Sequence, residues 1–540
     1  MSKVIEIPPK PRSTRYRLFE ILPGFLSYLL IIMLFVTSII SPVLGAGFVL
    51  FIVVTMLVKA LGIAARTLQG NRTLRRAMKI DWNERLLELE DAKENYAKTL
   101  KWKNTEYNAD VHSENLRRIS EADPDSFPVP SNIRHVVIVT MYDESLDTMV
   151  PTFDSILASN FNVKQIIVFL AYEARGGEET EKNAQYLYRK YSKKFGDMVL
   201  SKHPADLPGE IVGKGPNLTF AGHKLRAYLK ENKINADDVI VTTLDSDNHP
   251  HESYFAQVAY EYIVHEERQH LSYQPVSIFT NNIWDAPAMM RIIAISNSFW
   301  NLICSMRPHV LRNFASHSQP YSALEKMDFW SKRTIVEDGH QYWRSLFFFD
   351  GNYAVLPIRA PIYQDAVLSD TFAQTLKAQF IQLRRWDYGA SDVAYVGDYL
   401  FSKKRTVRLM SLIPKFVRLV DSHVTLAATA PVVVFGGWVP FIFGLQSRAM
   451  VAHFLPTLVG FVQMFGSISL FITILISLRY IPRRPKRYKW WKSILMILQW
   501  ILAPLVSIVY SSAAAFYSQT RLMLGLYMEN FDVTKKAVKK

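Results

Sequence analysis

The sequence predicts an α/β domain with a mostly parallel sheet, set between two α-helical transmembrane regions. Two observations carry this. Apolar strand-like runs alternate with polar helical stretches between about 132 and 400, the pattern of a parallel sheet covered by helices. Long uncharged runs lie on both sides of that region, each able to supply a membrane-spanning helix.

The first flank, 1–65, reads as a transmembrane hairpin. Ile21 to Val58 contains no charged residue. That is too long for a signal-peptide core and has no small-residue cleavage pattern. Turn chemistry at Ser41-Pro42 divides it into two helices. Lys3, Lys10, Arg12, Arg15 and Arg17 precede it, and Lys59, Arg66, Arg72, Arg75, Arg76 and Lys79 follow. Both flanks are basic and the tip is neutral, so the positive-inside rule puts the next domain in the cytoplasm. The expected site is the plasma (inner) membrane.

Residues 66–131 read as a polar helical linker ending in the boundary 122–132. Within 132–400 four strands stand out: 135–144, 164–177, 197–202 and 239–247. Residues 401–420 carry six Lys/Arg among apolar residues, too many to span, and read as an amphipathic interfacial helix. The remainder, 421–540, holds three more apolar runs and a basic tail. Five spans would leave that tail outside, whereas its charge favours the inside. A re-entrant hairpin broken at Pro504 is the alternative.

Composition narrows the function. Net charge is +15 over 540 residues, with the basic residues beside the apolar runs. That distribution favours anionic lipid headgroups over nucleic acid as a partner. The lone cysteine, Cys304, excludes an intrachain disulfide and Cys-x-x-Cys metal sites.

The chemistry gathers around Val239–Pro250, where a buried-strand pattern runs into Asp245-Ser246-Asp247. Ligands of open α/β sheets bind beyond the carboxyl ends of strands. Two carboxylates there suit a hard cation, Mg²⁺ or Mn²⁺, bridging to phosphates. Alone, the triplet reads as a solvated acidic turn. Four further clusters accompany it: Thr140-Met141-Tyr142-Asp143-Glu144, Gly213-Lys214-Gly215-Pro216-Asn217, Thr334-Ile335-Val336-Glu337-Asp338 and Gln382-Leu383-Arg384-Arg385-Trp386.

In order and spacing these clusters resemble the membrane-embedded family 2 glycosyltransferases, the group of cellulose, chitin and hyaluronan synthases. The resemblance covers about 132–400 by motif and the flanks by architecture. It implies a GT-A-type nucleotide-sugar-binding domain and an inverting, metal-dependent transfer. The donor would be a nucleoside-diphosphate sugar, by default a UDP-sugar. The acceptor would be a growing polysaccharide on the cytoplasmic face, or a glycolipid. It assigns Asp338 as catalytic base and Asp245 and Asp247 to the metal. Thr140, Tyr142, Glu144, Lys214, Asn217 and Arg385 fall to donor binding, and Gln382, Trp386 and Ser316 to acceptor binding.

Chemistry agrees with these roles. A diphosphate leaving group needs its charge neutralised, and the attacking hydroxyl needs a base. On a helix, Gln382, Arg385 and Trp386 share one face; Arg can clamp diphosphate oxygens and Trp can back a sugar ring. Glu337-Asp338 also suits a helix N-terminus. Two departures, Asp143 for Asn and Glu173 for Asp, lie near the expected nucleobase pocket and leave a GDP-sugar open. The alternatives are a non-processive enzyme adding one sugar to a lipid-linked acceptor and a transporter or scaffold without catalysis. Against the latter, the apolar runs carry no charge that a transporter would use.

Overall fold

The computed structural model describes residues 5–101, 105–123, 126–445 and 450–530. The end of the basic tail, 531–540, and part of the 122–132 boundary lie outside them. Helices α1 (Thr14–Ile40) and α2 (Pro42–Ala77) form the hairpin. Ser41 is extended between them, and Pro42 opens α2 where its missing N–H costs nothing. The linker folds into α3 (Trp82–Leu87), α4 (Ala92–Thr99) and α5 (Ala109–Glu121). Trp82, Leu86 and Leu116 enter the main core, and His112 bonds the Tyr260 hydroxyl at 2.9 Å.

Then β1 (Arg134–Met141), α6 (Leu146–Leu157), β2 (Ile166–Glu173), α7 (Gly177–Tyr191), β3 (Asp197–His203), α8 (Lys214–Glu231) and β4 (Val239–Leu244) alternate. The four strands pair in parallel in the order β3-β2-β1-β4. Every residue of β2 and β4 is buried, which is why both are continuous apolar runs.

The second half departs from the expected mostly parallel sheet. It comprises β5 (His249–Pro250), α9 (Tyr254–Val264), β6 (Leu271–Phe279), α10 (Ala288–Ser305), β7 (His317–Pro320), α11 (Tyr321–Lys326), α12 (Glu337–Phe348) and β8 (Ala354–Gln364). The full order is β3-β2-β1-β4-β7-β6-β8-β5. Strand β7 is antiparallel to β4 and β6, β5 is antiparallel to β8, and β6 and β8 are parallel. The sheet is therefore mixed. The sequence conceals this because β7 is four polar or proline residues, His-Ser-Gln-Pro, and β6 holds Pro275 beside a register shift.

After α13 (Phe372–Asp387) and α14 (Ser391–Leu400), the basic stretch 401–420 divides. It makes turns as far as Arg408, then the first turns of α15 (Leu409–Phe435), which continues into the apolar segment. There follow α16 (Trp438–Phe443), α17 (Met450–Tyr480), α18 (Trp491–Leu498), α19 (Ala503–Val506) and α20 (Ala513–Met523).

Among the described residues five helical stretches are long and apolar enough to cross a membrane: Thr14–Ile40, Pro42–Ala77, Leu409–Phe435, His453–Tyr480 and Trp491–Met523. The last does not fold into a hairpin at Pro504. Its helical path continues, tightened at Gln499–Leu502 and widened at Ser507–Ser512. Its first half packs on α10 of the α/β domain, and its second half lies between α13 of that domain and the helices α1 and α15, with Ser27 bonding Gln519 at 2.7 Å. The loop before it is held there by Trp284 Nε1 to Pro482 O at 2.8 Å and Arg487 to Asp285 at 2.8 Å. Arg291 meets Gln499 at 2.6 Å, Ser518 Oγ bonds Arg384 O at 2.5 Å, and Met528 N meets Tyr388 at 3.3 Å. Both ends of the stretch are thus bonded to the same domain. Met496, Trp500, Val506 and Tyr510 face α10 and α13, while Ile494, Ile497, Ile501, Leu505 and Val509 are exposed along the opposite stripe.

Candidate functional site

Strand β4 delivers Asp245-Ser246-Asp247 to its carboxyl end. The turn is fixed by its backbone: Thr152 Oγ1 donates to Ser246 O at 2.6 Å, and Asn281 Nδ2 to Asp247 O at 3.2 Å. The Asp247 carboxylate accepts the Asp365 N–H at 3.1 Å. Asn248, with its amide turned to suit its neighbours, donates to Asp247 at 3.1 Å and accepts the Asp245 N–H at 3.0 Å. Its other neighbour is the Ser316 hydroxyl.

Lys214, the first residue of α8, projects into this turn. Its ammonium lies 2.5 Å from Asp245 and 3.9 Å from Glu337, and donates to Ala315 O at 3.2 Å. Gly215 makes that possible: a Cβ there would strike the Ser331 carbonyl and press on Glu337. Burial pulls Lys214 down, but Asp245, Glu337 and Asp338 outweigh it and hold the ammonium above its usual value. The two acids of α12 respond in the opposite sense. Burial raises Asp338, Lys214 and the Gly339 N–H (2.7 Å) partly offset this, Asp245 adds to it and Arg385 opposes it. Burial and the Asp338 charge together push Glu337 up to about 8.

The loop into α12 is held from outside the domain. Glu6 accepts from Ser331 Oγ at 2.5 Å and Lys332 N at 3.3 Å, and Arg333 donates to Ile7 O at 3.1 Å. Tyr395 reaches Ile5 O at 2.8 Å. On the other flank Ile335, Val336 and Tyr388 cluster with Tyr527 and Met528, and Val212 pairs with Asn530.

A second group surrounds the end of β1. Thr140 Oγ1 meets Leu244 O at 3.4 Å, joining β1 to β4. Glu144 caps the Tyr142 N–H at 2.7 Å, and Thr180 bonds the Tyr142 carbonyl at 2.5 Å. Arg175 lies over the Tyr142 ring at 4.3 Å and pairs with Glu173. Asn217 is buried one turn into α8 and donates to Ala171 O at 2.9 Å. Arg175 and Asn248 escaped the sequence reading. The signal for Asn248 was its place directly after the acid pair; Arg175 had none.

On α13, Arg385 acts electrostatically on Asp338. Gln382 is half-buried and accepts from Gln379 at 3.2 Å. Trp386 is 37% exposed, with Phe279 6.2 Å from its ring. Ser316 is wholly buried beneath Asn248. His317 is a buried residue of β7. Burial first, and the Lys214 charge after it, take His317 to about 4, so its ring is neutral.

The structure thus brings Lys214, Asp245, Glu337, Asp338 and Arg385 together, with Asp247 beside them. Ser316 and Asn217 stand behind that surface. Among the described residues no three His, Cys, Asp or Glu side chains form a complete ligand set. The donors at the turn are carboxylate oxygens, which suit a hard divalent cation completing its shell with phosphate oxygens and water. The excess of acids over cations here fits such an ion.

No family model matches the chain, and no curated protein matches its sequence. Among solved structures it is similar to the mannosyltransferase PcManGT of Pyrobaculum calidifontis in complex with GDP-Man and Mn²⁺. The identity is 12%, over 77% of this chain and 98% of that one, with a TM-score of 0.39. It is also similar to S. aureus TarS 1-349 in complex with UDP-GlcNAc, at 12% identity over 73% and 92%, with a TM-score of 0.35.

Proposed function

We propose that the chain is a membrane-embedded, inverting glycosyltransferase of the family 2 kind, with a GT-A-type catalytic domain on the cytoplasmic face of the plasma membrane. It transfers a sugar from a nucleoside-diphosphate sugar, by default a UDP-sugar, to a growing polysaccharide. The observation that carries this reading is the meeting of two acid pairs from separate elements. Asp245 at the end of β4 and Glu337-Asp338 at the start of α12 share Lys214 as counterion.

Each group has a part. Asp245 and Asp247 would hold Mg²⁺ or Mn²⁺, which supplies charge neutralisation for the departing diphosphate. Arg385 and Lys214 offset further negative charge on the donor side. Asp338 takes the proton of the acceptor hydroxyl as its oxygen bonds to the anomeric carbon. The bond from that carbon to the diphosphate breaks, and the nucleoside diphosphate leaves with the electron pair. Attack opposite the leaving group inverts the centre. Tyr142, Glu144 and Arg175 line the side where the nucleobase would lie. Trp386 offers an exposed plane for the acceptor sugar, beside Gln382.

A second reading, transfer of one sugar to a lipid-linked acceptor, draws support from one contact. Helix α13 is bonded to the final apolar stretch through Arg384 and Ser518, a neighbour that would suit an acceptor held in lipid. Purified protein in lipid, given a panel of nucleotide sugars, tests both readings. Release of nucleoside diphosphate with one donor is expected, and the product length separates polymer from single addition. No release with any donor would sink the proposal.

A further inference from the structure

Arg66, Arg307, His309, Lys415 and Arg418 converge from three segments far apart in sequence. Helices α2 and α15 run side by side in opposite directions, with Lys59 3.3 Å from Asp421 and 3.5 Å from the Thr425 hydroxyl. Arg66 lies two turns beyond Lys59 on the same face of α2. Arg418 lies three residues before Asp421 along α15, and Lys415 three residues before Arg418, so each neighbours the next on the helix surface. Helix α10 arrives from the third side. A Cβ on Gly70 would strike Leu302 and Met306, which brings Arg307, the residue after Met306, next to Arg66.

These charges act on one another. The Arg307 guanidinium is pulled below its usual value, first by burial and then by Arg66 and Arg418. His309 is lowered first by burial and then by Arg418, Arg307, Lys415 and Arg66. Among the described residues none of Arg66, Arg307, Lys415 and Arg418 is in an ion pair, and the Asp421 nearby is engaged by Lys59. Like charges gathered without a counterion cost free energy that an anion would recover. The surroundings say which anion. Leu409, Ile413 and Val417, at four-residue spacing, are exposed apolar residues on the same stretch of α15 as Lys415 and Arg418. The charges therefore stand at the level where hydrocarbon gives way to headgroups.

We propose that this cluster binds the phosphate of an anionic phospholipid headgroup. The two arginines from different elements, Arg307 and Arg418, grip its oxygens with planar paired donors. Arg66 and Lys415 close the sides, and the acyl chains lie along Ile413 and Val417. The lipid joins α2, α10 and α15 where no protein acid does so. This does not depend on the reaction the domain performs.

The test uses the full chain in phosphatidylcholine nanodiscs titrated with phosphatidylglycerol, with retained lipid read by native mass spectrometry. The wild-type protein should retain phosphatidylglycerol over phosphatidylcholine. Arg307→Gln with Arg418→Gln should lower that affinity about thirtyfold, two cationic contacts being lost. If the double variant does not fold, Lys415→Gln at a half-exposed position gives the same test, with a fall of about fivefold. Lys404→Gln, an exposed charge on the preceding turns, should change nothing. Equal retention by the double variant, or by Lys415→Gln where that stands in, overturns the proposal. So does binding of inorganic phosphate in place of the lipid, which would mark a site for a soluble anion.

Discussion

The ammonium of Lys214 lies 2.5 Å from the Asp245 carboxylate and 3.9 Å from that of Glu337, so one buried cation ties the end of β4 to the start of α12. The acids it joins come from stretches almost a hundred residues apart, and their charges set one another's proton affinity.

The first prediction follows from Glu337. Its folded value is raised to about 8 from an ordinary 4.5. The unfolded chain releases this proton near 4.5 and the folded chain holds it to about 8. Stability from this group is therefore full at low pH and is lost as pH rises through about 8. Glu337→Gln cannot ionise. The melting temperature of the variant minus that of the wild type should grow between about pH 5 and pH 8, then level off. A difference that does not vary with pH counts against the buried carboxyl.

Asp338→Asn keeps size and the bond from Gly339 but cannot accept a proton. Turnover should fall by roughly 10²-fold or more, while the donor still binds, because the acids at β4 and Lys214 remain. Calorimetric titration of the variant with the nucleotide sugar checks this. Loss of donor binding would make Asp338 a structural residue or a ligand.

Activity should depend on a divalent cation through Asp245 and Asp247. Treatment with EDTA should abolish turnover and Mg²⁺ or Mn²⁺ should restore it. Asp247→Ala should not be rescued at ordinary concentrations of either ion. Near-full turnover after stripping would remove the metal role.

Trp386→Ala removes an exposed plane without touching Asp338 or Asp245. Transfer to a sugar acceptor should fall more than hydrolysis of the donor by water, and a polymerase should make shorter products. Equal loss in both reactions would make Trp386 a packing residue against Phe279.

Topology can be read with cysteines, because the native Cys304 is buried. Ser493→Cys and Leu526→Cys should label from the same face as Lys182→Cys on the α/β domain, and Leu44→Cys at the hairpin tip from the other. Labelling of 493 and 526 from opposite faces would show that the last stretch crosses.

The sequence made the first half of the sheet plain, since β1, β2 and β4 are buried on both faces and spell it in Val, Ile and Leu. It hid β7, whose Ser318 and Gln319 are buried through hydrogen bonds rather than apolar contact. The acids at 245, 247, 337 and 338 could be found from their spacing, but not the cation between them, because Lys214 lies 31 residues before Asp245 and meets it only in the fold. The last apolar stretch was legible as a membrane helix by composition. Its course along the domain was not, because a lipid-facing stripe and a protein-facing stripe are both apolar.

The loop leading into Glu337 and Asp338 at the start of α12 is walled on one side by Glu6 and Ile7 and on the other by Tyr527 and Met528. One wall precedes α1 and the other follows α20. The position of Asp338 therefore depends on two segments outside the α/β domain, however well β1 to β4 are folded. Disturbing either segment should therefore move Asp338 while leaving the sheet intact.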